Sequence, residues 1–325
     1  MVFLVTGAGG FIGFHLSKAL LARGEKVIGL DNLNDYYSPS LKQARCEQLK
    51  QSQHFSFYHA DITDQTAMEQ IVQQHSDIQF IFNLAAQAGV RYSLDNPFAY
   101  IQTNVMGQVS ILEMARRLPK LQRIFYASSS SVYGLNKKLP FSETDRVDRP
   151  SSVYAASKQS AELLSFTYNH LYGLKQTGLR FFTVYGPWGR PDMAYYLFAK
   201  AIIADKPITL YTGQNLSRDF TYISDVIDAL LSLLDSATLE DYGIFNIGNS
   251  CQEKVESLVI CLEENLGKKA VINYVERPET DIEATLSDIN AIYKATGWTP
   301  KTKLSDGIRQ FVDWFQNLGG DCSYR

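Results

Sequence analysis

The chain has 325 residues, of which 45% are hydrophobic and 20% are charged, a composition typical of a soluble globular protein. The formal net charge is −3 and there is no basic run, so we expect no nucleic acid partner. No apolar run approaches membrane-spanning length and no secretory signal is visible, so we expect no membrane association. The four cysteines form no Cys-x-x-Cys pair, which favours reduced thiols in a cytoplasmic protein.

Short apolar runs rich in β-branched residues alternate with longer helical patterns in the first part of the chain. Strands are predicted at residues 2–6, 26–31, 55–59, 79–84, 122–128 and 177–183. Helices are predicted at residues 11–23, 64–75, 98–117 and 153–171. Runs that are apolar on both faces and separated by helices predict a parallel sheet covered on both sides, which is the doubly wound, Rossmann-like α/β fold.

The alternation ends near residue 184, where proline and glycine cluster in the segment YGPWGRPD and the elements become shorter and mixed. We therefore predict an NAD-binding domain at residues 1–184, to which later segments return. A smaller mixed α/β substrate domain is predicted mainly within residues 185–325.

The first predicted strand leads into a glycine-rich turn, GAGGFIG, that opens a helix. Gly7 allows a tight turn, Gly10 lets the backbone approach a phosphate, and Gly13 lets the helix pack against the strand. The helix N-terminus, at Phe11 and Ile12, offers N–H groups to a pyrophosphate. A glycine turn without a ligand is the alternative, because the spacing is Gly-x-x-Gly-x-x-Gly and not the commoner Gly-x-Gly-x-x-Gly.

The second predicted strand ends in Asp31, 24 residues after Gly7, where a carboxylate can bind a ribose 2′-hydroxyl. The same charge would repel a 2′-phosphate, so Asp31 and Asn32 favour NAD over NADP. Asp61 and Ile62 follow the third strand and are expected near an adenine. The small residues after the fourth strand let the backbone approach the cofactor, and the expected contacts there are Leu84, Ala85 and Ala86.

The fifth predicted strand leads into a cluster of hydroxyls, Ser128, Ser129 and Ser130, and the segment VYAASK follows. Tyr154 and Lys158 lie four residues apart in that segment, so they share one face of a helix. A lysine charge favours the phenolate form of tyrosine, which is a base. Such pairs are common in soluble proteins, but here all these groups converge where a nicotinamide should lie, and this favours a catalytic pair.

These motifs together resemble the extended short-chain dehydrogenase/reductase family, in its nucleotide-sugar epimerase and dehydratase branch. The glycine turn, Asp31, DITD, NLAA, Asn104, SSSSVYG, Tyr-x-x-x-Lys and SRDFTYISDV occur in that family's order, and the resemblance covers essentially the whole chain. Within the branch, the chain is most similar to the UDP-glucuronate 4-epimerases. The segments that carry this finer similarity are DNLNDYYSPSLKQAR, AAQAGVRYSLDNPFAYIQTNVMG and RFFTVYGPWGRPDMA.

The resemblance implies an isomerase that oxidises carbon 4 of a UDP-sugar with NAD, lets the 4-keto sugar rotate, and returns the hydride to the other face. Tyr154 is the expected base. Lys158 is expected to bind the nicotinamide ribose and to lower the pKa of Tyr154. Ser129 is expected to hydrogen-bond the same sugar oxygen, with Ser128 and Ser130 as alternatives.

The resemblance also implies how the substrate is held. Arg218 and Arg277 match family positions that hold the diphosphate, and a bidentate guanidinium suits that task. Arg91 is a further candidate for substrate binding, and Asn104 is expected at the cofactor and catalytic region.

Arg190 is the residue most informative about the sugar, because it follows the strand that carries RFFTVYG. Arg190 with Thr183 is predicted to bind a substrate carboxylate, and an ordinary loop arginine is the alternative. The five histidines show no metal-ligand spacing, so no metal is predicted. A homodimer is expected through the helices at 98–117 and 153–171.

Four other functions stay open. A neutral UDP-sugar 4-epimerase, for UDP-glucose or UDP-N-acetylglucosamine, and a UDP-glucuronate decarboxylase share the first oxidation. A 4,6-dehydratase would usually carry an Asp-Glu pair where this chain has Ser130 and Ser131. A non-catalytic NAD-sensing protein could lose the tyrosine or the lysine without penalty, but this chain has both.

Overall fold

The computed structural model describes residues 1–212, 216–277 and 282–317. Its strands are β1 (Val2–Thr6), β2 (Lys26–Asp31), β3 (Phe55–His59), β4 (Phe80–Asn83), β5 (Arg123–Ser129), β6 (Gln176–Phe181), β7 (Thr183–Tyr185), β8 (Ile208–Thr212), β9 (Ser217–Tyr222), β10 (Tyr242–Ile247), β11 (Gln252–Lys254) and β12 (Ile272–Glu276). Its α-helices are α1 (Phe11–Ala22), α2 (Pro39–Lys50), α3 (Gln65–Gln74), α4 (Tyr92–Asp95), α5 (Pro97–Tyr100), α6 (Gly107–Ala115), α7 (Val153–Tyr172), α8 (Ala194–Ile203), α9 (Ile223–Asp235), α10 (Val255–Leu266), α11 (Asn290–Thr296) and α12 (Leu304–Asn317).

A parallel sheet of seven strands forms the centre of the protein, in the order β10–β6–β5–β4–β1–β2–β3. Two small sheets, β11–β9–β7 and β12–β8, accompany it. The order reverses at β1, between β2 and β4, as a doubly wound fold requires. The predicted fold class is therefore confirmed.

The central sheet is buried on both faces, which explains why its strands are continuously apolar. Successive side chains of a strand point to opposite faces, so Phe3 and Val5 pack into one core cluster and Leu4 packs into the other. Ile28 and Ile81, from the strands on either side of β1, join Leu4 in the second cluster.

The strands and helices predicted within residues 1–183 are present, with two differences in detail. Helices α2 and α4 were not predicted, and no individual element was predicted after residue 184, including strand β10. The predicted strand 177–183 is two strands, β6 and β7, separated at Phe182, whose N–H donates to Ile247 O at 3.0 Å. The predicted helix 98–117 is α5, a π-helical turn over Ile101–Met106, and α6.

Helix α7 carries the predicted Tyr–Lys pair in its first two turns. Ser152 caps its N-terminus, because the Ser152 hydroxyl accepts a hydrogen bond from Ala155 N at 3.1 Å. Gly173, with φ of 67°, ends the helix in the left-handed conformation that favours glycine. The sequence thus sets both ends of this helix locally.

A buried ion pair attaches α7 to the sheet. Arg180 on β6 donates through Nε and Nη2 to the two carboxylate oxygens of Glu162 on α7, at 2.9 and 2.8 Å. The side chains are only 3% and 6% exposed. Ser128 at the end of β5 also donates to Glu162. The pair therefore holds α7, β5 and β6 in one arrangement.

The substitution Glu162→Ala should lower the free energy of unfolding by roughly 3–5 kcal/mol, because it leaves Arg180 buried without its counter-charge. Chemical denaturation of both proteins measures this difference. Glu47→Ala is the control, because Glu47 pairs with Lys50 at the exposed surface and should change stability by less than about 1 kcal/mol. A loss at Glu162 as small as that at Glu47 would contradict the anchoring role.

Candidate active site

A cavity of about 360 Å³ lies at the carboxyl ends of the central strands, where a doubly wound sheet binds its ligands. It contains most of the residues predicted from the sequence, although they come from six separate strand ends. The predicted residues that line it are Gly7, Gly10, Phe11, Ile12, Gly13, Asp31, Asn32, Asp61, Ile62, Leu84, Ala85, Ala86, Ser128, Ser129, Ser130, Tyr154, Lys158, Thr183 and Arg190.

The glycine turn has no space for larger residues. Gly7 has φ of +70°, and Gly10 N donates to Gly7 O at 2.9 Å. A Cβ atom placed on Gly13 would lie only 2.1 Å from Gly7 O. Among the described residues, no side chain caps the first turn of α1. The N–H groups of that turn therefore face the cavity region as a site for a phosphate group.

Asp31 at the end of β2 is fixed by backbone groups. Its Oδ2 accepts from Gly9 N at 3.0 Å and its Oδ1 accepts from Leu33 N at 2.8 Å. Asn32 Nδ2 donates to Asp61 Oδ2 at 2.7 Å. The carboxylate thus lies beside the glycine turn, where the ribose next to a pyrophosphate would reach it, and these residues fit a dinucleotide.

The environment of Asp61 keeps it ionised. Burial raises the pKa of this carboxyl, but hydrogen bonds from Thr63 and Asn32 outweigh burial and lower it below its usual range. The Thr63 backbone N–H and hydroxyl both donate to Asp61 Oδ1, at 2.9 and 2.7 Å. Two acidic side chains therefore line the part of the cavity formed by β2 and β3.

Lys158 and Tyr154 lie together at the other end of the cavity. Lys158 is 4% exposed and donates from Nζ to Ala127 O at 2.9 Å. Burial lowers the pKa of its ammonium to about 8. The Tyr154 ring contacts the edge of the Tyr100 ring, with centroids 5.9 Å apart. A half-buried phenol and a buried amine therefore share one face of α7.

The effect of Lys158 on the pKa of Tyr154 stays a prediction. Burial raises the pKa of the Tyr154 hydroxyl above its usual value, and Ser129 and the charge of Arg190 act in the opposite direction. The Lys158 ammonium donates to the carbonyl of Ala127.

The three serines have different partners. Ser128 donates to the buried carboxylate of Glu162. Ser129 lies close enough to Tyr154 to lower the pKa of the phenol, and the Ser129 hydroxyl donates to Ser131 Oγ at 3.2 Å. Ser130 begins a short 3₁₀ turn, Ser130–Tyr133. Ser129 is thus the serine whose position matches the predicted role beside Tyr154.

Asn104 does not line this cavity, although it was predicted among the cofactor contacts. Its amide accepts from Gln87 N at 2.9 Å and donates to Gln87 O at 3.1 Å and to Ser157 Oγ at 2.9 Å. All of these bonds are within the protein. Asn104 therefore joins the loop after β4 to α7, and it lies in the π-helical turn that interrupts the predicted helix.

Three arginines predicted to bind the substrate also lie outside this cavity. Arg91 donates to the Tyr211 hydroxyl at 2.5 Å. Arg218 Nη1 donates to the carbonyls of Ser217 and Glu283, at 2.9 and 3.1 Å. Arg277 lines a second cavity of about 1010 Å³.

The segment before α2 and the first turn of α2 contribute residues to the cavity that the sequence analysis did not assign. They are Asn34, Tyr36 and Tyr37 before the helix and Lys42 within it. We name residues 32–38 the strap. Tyr36 donates to Asp192 Oδ2 at 3.1 Å. Asp192 also forms a two-point ion pair with Arg190. The strap lies within DNLNDYYSPSLKQAR, one of the segments that carry the finer family similarity. That similarity was the only indication in the sequence that these residues contribute to the site.

Comparison with known proteins identifies the family. A sequence profile for GDP-mannose 4,6 dehydratase matches residues 4–311. The chain belongs to this family. UDP-glucuronate 4-epimerase 1 of Arabidopsis thaliana is 46% identical over 332 residues, which cover 98% of this chain and 77% of the relative. The predicted membership of the nucleotide-sugar epimerase and dehydratase branch is confirmed.

Solved structures of relatives share the whole fold of this family member. UDP-glucuronic acid 4-epimerase of Bacillus cereus, in complex with UDP-glucuronic acid and NAD, superposes with a TM-score of 0.92 at 33% identity, over 98% of this chain and 100% of that chain. UDP-glucose 4-epimerase of Thermotoga maritima with UDP-glucose superposes with a TM-score of 0.87 at 29% identity, over 98% and 99% of the two chains.

The part of the chain that the structure describes has neither a candidate metal site nor a candidate membrane span. Within the described ranges, no group of three or more His, Cys, Asp and Glu side chains could hold a metal ion. In the same residues, no helix combines the length and the apolar character that crossing a bilayer requires.

Proposed function

We propose that this chain is an NAD-dependent isomerase that interconverts UDP-glucuronate and UDP-galacturonate by epimerisation at carbon 4. One observation carries the choice of sugar: the guanidinium of Arg190 enters the same cavity as Tyr154, Ser129 and Thr183. A cation at that point suits a sugar with a carboxylate on carbon 5. The family members named UDP-glucuronate 4-epimerase support the same reaction.

NAD, when bound, supplies a hydride acceptor that also returns the hydride. In the proposal, the glycine turn holds its pyrophosphate and Asp31 holds the adenosine ribose. The negative charge of Asp31 and Asp61 at this end of the cavity disfavours the 2′-phosphate of NADP. Ala85 and Ala86 let the backbone approach the cofactor closely.

Tyr154 takes the proton of the sugar 4-hydroxyl in the proposed mechanism and gives it back after the sugar has turned. The raised pKa means that the hydroxyl is protonated at neutral pH until a nearby positive charge stabilises its phenolate. Arg190 already supplies part of that stabilisation. Lys158 is the residue that binds the nicotinamide ribose, and Ser129 donates a hydrogen bond to the oxygen at carbon 4.

Arg190 and Thr183 bind the substrate carboxylate in this proposal. Arg91, Arg218 and Arg277 bind the rest of the nucleotide, with the diphosphate assigned to the last two. A neutral sugar is the second candidate, because Arg190 is already neutralised by Asp192 and a neighbour acts with UDP-glucose. The two candidates differ in whether the carboxylate improves binding.

A homodimer is part of the proposal. Phe98 on α5 and Leu163, Phe166 and Leu171 on α7 are between 55% and 83% exposed. Large apolar side chains exposed together mark an interaction surface. A second copy of the chain would cover them through the two helical regions predicted from the sequence.

The division of the chain into an NAD-binding domain at 1–184 and a substrate domain mainly at 185–325 also belongs to the proposal.

A cytoplasmic location is a further part of the proposal, and the free thiols of Cys46, Cys251 and Cys261 support it. Cys322 lies outside the described residues.

Assay of the purified protein with UDP-glucuronate, UDP-glucose and UDP-N-acetylglucosamine tests the proposed substrate. We expect UDP-galacturonate from UDP-glucuronate, with a kcat/KM at least about 10-fold above that for either neutral sugar, since one charged hydrogen bond contributes about 1.5–3 kcal/mol. Chromatography of the products and extraction of bound NAD measure this. A preference for UDP-glucose would establish the neutral-sugar epimerase instead.

Tyr154→Phe should reduce kcat by roughly 10²- to 10⁴-fold, because it removes the proton acceptor and keeps the ring. The amount of NAD extracted per protein should be unchanged. Tyr172→Phe, at the exposed end of the same helix, is the matched control and should keep wild-type turnover. Retention of more than about a third of kcat in Tyr154→Phe would remove Tyr154 from the mechanism.

The oxidised intermediate of UDP-glucuronate can lose its carboxylate, and an epimerase must prevent this. The 4-keto sugar is a β-keto acid. Breaking the bond between carbons 5 and 6 releases carbon dioxide, the electron pair passes to the carbon-4 carbonyl as an enolate, and water protonates carbon 5 to give a UDP-4-keto-pentose. Holding the carboxylate out of alignment with the carbonyl π system prevents that step.

Arg190→Ala should weaken UDP-glucuronate binding by roughly 10- to 150-fold, the effect of losing one charged partner. Part of the intermediate should escape as carbon dioxide and pentose. Calorimetric titration and product analysis measure both effects. The double variant R190A/D192A is the control, since it also removes the carboxylate that Arg190→Ala leaves unpaired. If, in both variants, the binding of UDP-glucose falls as much as the binding of UDP-glucuronate, Arg190 does not recognise the carboxylate.

A further inference from the structure

Arg45 on α2 is a fully buried arginine that connects three separate segments of the protein. Its Nη1 donates to Gly9 O in the glycine turn and to the Tyr37 hydroxyl in the strap, both at 2.8 Å. Its Nη2 donates to Trp188 O at 2.6 Å and to Gly189 O at 3.1 Å. One guanidinium therefore touches the cofactor turn, the strap and the loop that precedes Arg190.

Hydrogen bonds from other segments to three consecutive backbone carbonyls hold the loop before Arg190 in place. In addition to Trp188 and Gly189, the carbonyl of Pro187 bonds to His15 Nε2 at 2.9 Å. Burial lowers the pKa of His15 to about 4, so its ring is neutral at physiological pH and donates through Nε2–H. Side chains from α1 and α2 thus fix every carbonyl from 187 to 189.

The conformation that these bonds hold is strained. Trp188 has φ of 59°, in the left-handed region that a residue with a large side chain seldom adopts. Such a residue costs about 1–3 kcal/mol and persists only where its surroundings enforce it. The shortest Arg45 hydrogen bond ends on the carbonyl of Trp188 itself. Arg45 is therefore well placed to enforce this backbone conformation.

The loop conformation fixes the direction of Arg190. The Gly189 carbonyl belongs to the peptide bond that leads into Arg190, so Arg45 orients the peptide plane next to it. The strap forms a second connection. Its Tyr37 hydroxyl accepts from Arg45, and the adjacent Tyr36 donates to Asp192. Asp192 is the ion-pair partner of Arg190. Both connections lead from Arg45 to the same guanidinium.

A purely structural role explains Arg45 less well. Its four bonds end on three backbone carbonyls and a phenol, and among the described residues no carboxylate forms a salt bridge with it. A buried cation without a counter-charge is costly, so filling space does not by itself account for an arginine at this position. What the guanidinium adds is a rigid fork that holds several acceptors at fixed positions.

We propose that Arg45 is a positioning residue for carboxylate recognition: it holds the loop 187–189 against the cofactor turn and thereby aims Arg190 at the substrate. This inference rests on the proposed function, because it concerns how that site selects UDP-glucuronate. Arg45 itself does not line the cavity, so it acts through Arg190.

A double-mutant cycle tests the inference. The measured quantity is the preference, defined as Kd for UDP-glucose divided by Kd for UDP-glucuronate, obtained by calorimetry on the NAD-loaded protein. Arg45→Lys keeps the charge but cannot span the three segments, and we expect the preference to fall roughly 10-fold. In the Arg190→Ala background, Arg45→Lys should change the preference by less than about 2-fold, because both residues act on the same contact.

Arg123→Lys is the matched control. Arg123 is also buried and also donates to neutral oxygens, including Thr177 Oγ1 at 3.1 Å and Glu240 O at 2.9 Å. It lies at the start of β5, at the amino ends of the strands, whereas the cavity lies at their carboxyl ends. It should keep the wild-type preference even if its stability falls. Tyr37→Phe removes the hydroxyl that accepts from Arg45, and it should lower the preference by about 2- to 5-fold. If Arg45→Lys does not fold, Tyr37→Phe takes its place in the cycle.

The outcomes separate this inference from the proposed function. A wild-type protein that does not prefer UDP-glucuronate overturns the proposed function and the inference with it. A wild-type protein with the preference, together with an Arg45→Lys variant that retains it, overturns the inference alone. Equal losses in the wild-type and Arg190→Ala backgrounds, or an equal loss in Arg123→Lys, show a general effect on the fold and also overturn it.

Discussion

The buried attachment of α7 to the carboxyl ends of β5 and β6 is the constraint on which the site depends. The Glu162–Arg180 ion pair, the Ser128 hydroxyl and the bond from Lys158 to Ala127 O all act across this one contact. Because these groups are buried, α7 cannot shift without leaving charges or donors unpaired. The position of Tyr154 beside Ser129 follows from that contact.

The second half of the site is held by a different device. The loop that carries Arg190 follows the end of the sheet and has no regular structure of its own. Its carbonyls are fixed by side chains from the two helices that flank the glycine turn. The cofactor side and the sugar side of the cavity are thus connected through α1 and α2, and not only through the strands between them.

The sequence predicted the features that depend on local pattern. Strands apolar on both faces, glycines at Gly7 and Gly13, and Asp31 at a strand end each have a signature within a few residues. Contacts between distant segments have no such signature. The bonds of Asn104 to Gln87 and Ser157, for example, cannot be read from the residues next to it in the sequence. The raised pKa of Tyr154 comes from burial, which depends on the whole fold.

The same limit applies to the elements that were not predicted. Strand β10 lies more than 60 residues beyond β6 and joins the sheet only through parallel pairing with it. Helix α2 has mostly polar residues, and two of its five buried residues, Lys42 and Arg45, are charged. Its charged residues are informative only once the fold shows what they contact.

The central claim is a transient oxidation at carbon 4 with return of the same hydride to that carbon. The direct test is to incubate UDP-glucuronate deuterated at carbon 4 with the NAD-loaded protein and to analyse the UDP-galacturonate by mass spectrometry and NMR. The account predicts that the deuterium is retained at carbon 4 of the product. Loss of the label, or uptake of solvent hydrogen at that carbon, would contradict it.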